Sequence, residues 1–397
     1  MLAPVHRLMF LMGAYYFLQG MGGNPGVYVQ SLQKFLKEAW GFTPTQSAAF
    51  LALPVIPWMI KPLYGLISDC FPIFGLRRKS YFILVGAVAV ISLIAPSWLA
   101  LTPTTLLLLL FIGSICFAFS DVLCDALMVE RGQPLNATDR LQAAQWGAIS
   151  VAGILVAFSK GYIAEYFSLP QAFLLALPFP LLMVVLTAAG LEEQKTESAG
   201  AMARQAWSGL KRAARLKPLW AYAFFLLLYN CSPNLGNVLY YYEKDGLRFS
   251  DVLIGQVDAV GQAGFLVGTL LFGLIASRLS HETLLRQIVF TGILSNLLYL
   301  FFKDEMSAFA VSAISQTISV GFFLGTLTIA AKICPKYAEG TVFAVLMSVS
   351  NAGTQIGSII GSAFYEQLGY PMLVLISAAF TACMWFFLPL ARQRSEA

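Results

Sequence analysis

The sequence predicts an all-α protein of twelve membrane-spanning helices arranged as two six-helix halves. Three observations carry that expectation: an apolar excess too large for a water-covered surface, twelve apolar stretches of spanning length, and basic residues gathered in alternate connections. Of the 397 residues, 58% are hydrophobic and 11% charged, and the mean hydropathy is +0.73. A soluble domain carries about 25% charged residues, so lipid is the medium this chain can face. The apolar stretches lie near 8–31, 45–68, 80–100, 104–130, 140–165 and 170–190, then near 218–242, 251–277, 284–302, 306–332, 339–365 and 370–390. Each suits a hydrocarbon core that takes about 20 helical residues to cross. The organisation read from them is a first half over 1–190, a polar connection over 191–217 and a second half over 218–397.

Orientation follows from the basic residues. Eighteen of the 25 Lys and Arg fall on the side of both termini and the central connection, and five on the other; Lys61 and Lys160 fall within spans. That asymmetry predicts cytoplasmic termini, and a plasma or inner membrane is the expected location. It also accounts for the net charge of +5 without a nucleic-acid partner. The six cysteines, with no C-x-x-C, read as apolar fillers rather than a disulfide framework or metal site. Arg7 ahead of an apolar run resembles a leader, yet no small-residue cleavage site precedes Pro25, and the segment reads as the first span.

The halves echo each other. Gly65-Leu-Ile-Ser-Asp69 closes the second span, and Gly273-Leu-Ile-Ala-Ser277-Arg278 closes the eighth, at an offset of 208 residues. Two six-helix repeats joined by a cytoplasmic connection are the plan of a major facilitator transporter, in which cargo binds between the halves near the midplane.

After the second span the chain reads Lys61-Pro-Leu-Tyr-Gly65 through Asp69 and Gly75 to Arg77-Arg78-Lys79, a G-x-x-x-D…G-[R/K]-[R/K] pattern. Gly65 permits close helix contact, and Asp69 suits Arg77, Arg78 or a helix N-terminus, so the loop reads as a cytoplasmic gate. The plainer reading is that the basic residues only set topology. The fourth span carries the sharper signal, Ser120-Asp121-Val-Leu-Cys-Asp125 running to Glu130-Arg131. Asp121 and Asp125 share a helix face and lie roughly 14 and 8 Å from its cytoplasmic end at ~1.5 Å per residue. A carboxylate at that depth should face a wet cavity or a partner. Lys61 stands at similar depth, so a pair with Asp121 or Asp125 would leave the other carboxylate for cargo or protons. A fixed structural ion pair is the alternative. Glu130 and Arg131, at the water boundary, suit the gate.

In the second half, Asp258 sits two turns into the eighth span and is a candidate for cargo or coupling. Lys160 reads as a snorkelling residue. Uncharged polar residues also align: Gln19 with Asn24 beside Pro25; Asn230, Asn234 and Asn237 around Pro233; Asn351 and Gln355 on the eleventh span. They suit a cavity lining behind broken helices, or polar glue between helices.

The stretch from Ile60 to Tyr81, the run Ser120 to Arg131 and the start of the fifth span, Leu141-Gln142…Trp146-Gly147, resemble the folate–biopterin transporter family of the major facilitator superfamily. These motifs cover mainly the first 165 residues. The resemblance implies secondary transport of folates or pterins, with protons as the candidate coupling ion and no cofactor. A pterin's 2-amino edge suits a carboxylate, and a folate's glutamate tail suits a cation such as Lys61. Transport of another organic anion or amphipathic metabolite, and a non-transporting sensor on the same scaffold, are the rival readings. Enzymatic chemistry is disfavoured, because His6 and His281 lie outside the spans and H-E-x-x-H, G-x-S-x-G and a Gly-Lys phosphate loop are all absent.

Overall fold

The computed structural model describes residues 4–23, 26–193, 217–275, 280–333 and 339–391. These are helical apart from short connections and one isolated bridge, Ile73 with Leu76. In the first half the helices are α1 (Pro4–Gly22), α2 (Val29–Lys34), α3 (Pro44–Ala52), α4 (Ile56–Met59), α5 (Lys61–Cys70), α6 (Lys79–Ile94), α7 (Pro103–Gly132), α8 (Thr138–Tyr166), α9 (Leu169–Ala176) and α10 (Pro178–Gly190). The second half follows with α11 (Lys217–Asn230), α12 (Gly236–Tyr241), α13 (Asp251–Ile275), α14 (His281–Leu298), α15 (Glu305–Ile333), α16 (Glu339–Leu368), α17 (Tyr370–Cys383) and α18 (Leu388–Ala391). Among the described residues, nine stretches are long and apolar enough to cross a membrane. The chain is therefore an all-α, multi-pass membrane protein.

Proline explains why several predicted spans are built from pieces. The second span runs through α3, a 3-10 turn at Leu53–Val55, α4 and α5. Pro54, Pro57 and Pro62 each remove a backbone donor, and the helix opens at Ile60, whose φ of −104° and ψ of 17° are not helical. Ser114 of α7 donates its hydroxyl to the Pro54 carbonyl, so a side chain meets an acceptor that the break exposes.

The first and seventh spans break in the same way. Between α1 and α2 the chain leaves the helix, reforms it, and ends in a π turn at Phe35–Ala39; between α11 and α12 it does so again and ends in a π turn at Tyr242–Gly246. The backbone bonds repeat at an offset of 207 residues: Leu32 to Tyr28 matches Leu239 to Leu235, Phe42 to Leu36 matches Phe249 to Glu243, and Ser47 to Thr43 matches Ile254 to Ser250. The sequence echo at Gly65 and Gly273 has an offset of 208. The 3-10 turn at Leu53–Val55 accounts for the change, since three residues at about 2.0 Å rather than 1.5 Å rise gain one α-helical residue's length.

The chain forms two compact units, one of Met1–Phe35 with Leu53–Ala206 and one of Leu36–Ala52 with Trp207–Ala397. Unit 1 is packed around Met12, Tyr15, Phe82, Leu123 and Leu141. Unit 2 centres on Tyr222, Phe225, Ile288 and Val320, with a second cluster around Tyr240, Val257 and Phe302. Residues 36–52, placed with the first half by sequence order, group with unit 2 because their polar groups find partners there. Lys37 pairs with Asp245 at 2.7 Å, the Thr45 N–H donates to Glu366 at 2.8 Å, and Asn237 donates to the Pro44 carbonyl at 2.9 Å.

Within unit 2 the irregular segment 231–235 lies against a glycine row on α16. A Cβ on Gly357 would fall inside the Ser232 and Asn230 carbonyls, and one on Gly361 inside the Asn234 carbonyl. By contrast, a Cβ on Gly65 would stand 3.5 Å from Val122, an ordinary contact, so the approach of α5 to α7 does not itself demand glycine. Gly357→Ala should therefore lower the unfolding temperature of the detergent-solubilised protein, at a cost of about 1–3 kcal/mol. Gly65→Ala should leave it nearly unchanged, and equal melting of the two variants would refute the contrast.

Candidate functional site

The candidate site in unit 1 is assembled from α1, α5 and α7. On α7, Asp121 and Asp125 are one turn apart, and on α1, Tyr16 and Gln19 are three residues apart on one face. Gln19 donates to Asp121 Oδ1 at 2.8 Å, and Tyr16 donates to Asp125 Oδ1 at 2.5 Å. The opening at Ile60 brings Lys61 to the first turn of α5, where its Nζ lies 2.6 Å from Asp121 Oδ2 and 4.6 Å from the centre of the Trp58 ring. Both carboxylate oxygens of Asp121 are thus engaged, and the residue is 5% exposed. Asp125 is exposed although Tyr16 and Gln19 around it are buried.

This geometry separates the two carboxylates. Asp121 has a cation and an amide, which offset the cost of burying its charge. Asp125 has the Tyr16 hydroxyl, the Gln145 amide and an open side, where an incoming donor could bind. With Lys61 charged, ionisation of both acids leaves one net negative charge, suited to a cation, a proton or the amino edge of a planar ligand. Buried Gln145 of α8 reaches this cluster through Cys124, donating to its Sγ at 3.4 Å. Tyr16, Trp58 and Gln145 were not marked by the sequence. Each sits in an apolar run where its type reads as packing, and only the fold brings it to the carboxylates.

The loop motif after α5 and the end of α7 form a second network. Arg78, 3% exposed, joins Asp69 at 2.7 Å, Glu130 at 2.6 Å and the Ser68 hydroxyl at 2.5 Å. Arg77 stands 3.7 Å from both carboxylates. The loop reverses through Phe74 and Gly75, with φ of 55° and 81°, which gives the motif's second glycine its reason. Glu193, unmarked by sequence, accepts backbone N–H bonds from Arg77, Arg78 and Lys79 at 2.8–3.1 Å, a carboxylate seated on the N-terminus of α6. Arg131 donates to the Glu192 carbonyl at 2.6 Å. The network thus ties the ends of α5, α6, α7 and α10 into one piece within unit 1.

In unit 2 the asparagines serve the break. Asn230 receives the Thr354 hydroxyl at 3.3 Å, and Asn234 donates to the Thr354 carbonyl at 3.1 Å while its Oδ1 accepts from the Gly236 N–H at 3.1 Å. Asn351 and Gln355 are half-buried on α16, and Asp258 is half-buried on α13. Asn24 lies outside the described residues. Position along a helix does not measure burial here. Asp251, at the start of α13, is fully buried with Lys244 at 3.1 Å and Tyr240 at 3.3 Å, and Glu243 is 2% exposed. Among the described residues no group of His, Cys, Asp and Glu could hold a metal ion.

Comparison with known proteins gives a consistent picture. The BT1 family matches residues 22–373. A folate-biopterin transporter of Synechocystis sp. is 29% identical over 388 residues, covering 92% of this chain and 76% of that protein. Folate transporter 2 of Plasmodium falciparum is 25% identical over 334 residues, covering 80% and 72%. Among solved structures, the nucleoside transporter NupG aligns with a TM-score of 0.72 at 15% identity, covering 98% of this chain and 99% of that one. A D-xylose-proton symporter aligns at 0.68 and 16% identity, covering 98% and 97%. The fold is that of the major facilitator transporters.

The two arginines predict different losses. Arg78→Ala strands two carboxylates around a buried site and should cost about 3–5 kcal/mol. Arg77→Ala, with longer contacts, should cost less, and melting of the purified variants ranks them. A larger loss for Arg77→Ala would overturn the assignment of Arg78 as the centre of the network.

Proposed function

We propose that this chain, which belongs to the BT1 family, moves folates or pterins across a membrane by alternating access. The observation that carries the proposal is the exposed Asp125 carboxylate beside a neutralised Lys61–Asp121 pair, inside a span of an otherwise apolar helix. The names of its relatives direct the substrate class, and the site supplies suitable chemistry. Asp125 offers two acceptor oxygens to the aminopyrimidine edge of a pterin. Lys61, lying against Trp58, offers a cation to an anionic tail when Asp121 releases it.

Asp125 and Asp121 are the candidate proton carriers. Tyr16 and Gln19 position them, each with one hydrogen bond from α1. Because α1 ends at the break after Gly22, motion of the first span would change both bonds together and link the carboxylates to opening. Within unit 2, Asp258 and the polar face of α16 are candidate cargo or coupling groups. The Asp69–Arg78–Glu130 network serves as the gate by keeping one end of unit 1 rigid. The basic-residue asymmetry supports cytoplasmic termini, and a plasma or inner membrane is the proposed location.

Counterflow in proteoliposomes tests the substrate. Internal unlabelled folate or pterin should drive entry of labelled folate, and an inward-acid pH gradient should accelerate it. Exchange only with unrelated organic anions would replace the substrate assignment, and binding without flux would point to a sensor. Asp121→Asn and Asp125→Asn should each reduce uptake at least tenfold while leaving folded protein in the membrane; wild-type flux in both removes their role in coupling. Lys61→Ala should impair flux as well, and normal activity there reduces the ion pair to packing. Tyr16→Phe should retain the fold and lower flux less than Asp125→Asn, since it removes a positioning bond and leaves the carboxylate.

A further inference from the structure

Outside the candidate site, α1, α8 and α10 leave a groove of about 450 Å³ on unit 1. Gly13, Ala14, Ala144 and Ala148 form its floor, and Phe10 and Leu182 stand at its rim, 68% and 47% exposed. The lining is apolar. Small residues hollow it between larger neighbours, and the exposed Phe10 and Leu182 leave it open at the surface of unit 1.

The groove runs toward basic side chains. Arg140 is exposed on α8 one turn before Ala144, and Ala148 follows one turn later on the same face. On α1, exposed His6 stands one turn before Phe10. Arg7 is also exposed, with its guanidinium 3.4 Å from both the Gly190 carbonyl and Glu192. An apolar slot ending in positive charge matches an amphiphile with an acyl chain and an anionic head.

We propose that this groove is a site for one anionic phospholipid, with an acyl chain along Gly13, Ala144 and Ala148 and its headgroup at Arg140. An acyl chain gains no hydrophobic free energy by leaving other lipid for the groove. Packing therefore sets occupancy, and the charge at Arg140 sets headgroup preference. The site is separate from the carboxylates of α7 and does not depend on which solute is carried.

Native mass spectrometry of the full chain, equilibrated with equal amounts of phosphatidylglycerol and phosphatidylcholine, tests the assignment. One phosphatidylglycerol should be retained in preference to phosphatidylcholine by about fivefold, the size expected for one Arg near an anionic headgroup. Arg140→Gln should bring the ratio close to one while a lipid is still retained. Ala148→Phe fills the floor and should remove retention of both lipids; Leu182→Trp, at an exposed rim position, covers the slot if Ala148→Phe does not fold. Equal retention of the two lipids by the wild type overturns the site, as does an unchanged preference in Arg140→Gln. Retention that survives a filled groove, or a lipid-free dimer of this chain sealed at that face, does so equally.

Discussion

A polar group within hydrocarbon has no water to turn to, and this constraint organises the chain. Where helices run unbroken, their own hydrogen bonds meet it. Where proline or an irregular turn opens the backbone, a neighbour meets it instead: Ser114 at Pro54, and Thr354 and Gly357 around Asn230 and Asn234. The same demand explains the ion pair. Asp121 is kept inside unit 1 because Lys61 and Gln19 occupy both of its oxygens, and Asp125 stands out because one side remains open.

Each break therefore requires a matching feature elsewhere in the sequence. The irregular stretch after Asn230 needs a backbone to approach it closely, and the glycine row of α16 provides that room. The opening at Ile60 gives up helical bonds, yet it delivers Lys61 to α7 at a level that a continuous helix need not reach. Local weakness and a charge pair within a span coincide at that point. The network around Arg78 behaves differently: Arg78 joins two carboxylates, Glu193 and Arg131 meet backbone groups, and these contacts hold one end of unit 1 together.

The fold was legible because its signals are summed over many residues. Apolar length marks the spans, nine of which stand among the described residues. The pairing of Lys61 with a carboxylate of α7 was also legible, because charges at spanning depth are few and must be met. What sequence could not supply was contact identity. A tyrosine in an apolar helix reads as packing, so Tyr16 was silent until α1 lay against α7. Glu193 read as part of a polar connection, and Asp251 as a residue at a helix start, because accessibility depends on neighbours remote in sequence. The asparagines of the seventh span align in sequence, but their bonds part: Asn234 serves the backbone of α12 and α16, Asn230 meets Thr354 and its own helix, and Asn237 reaches the Pro44 carbonyl. The offset of 208 at Gly65 was real, yet it masked a register of 207 that only the 3-10 turn reconciles.

The paired π turns carry a consequence for the repeat. A wide turn spends an extra residue without lengthening the helix and is marginal on its own. Phe35–Ala39 and Tyr242–Gly246 are framed by the same backbone bonds in both halves, so the echo between the halves is held in backbone geometry at a place where most of the side chains differ.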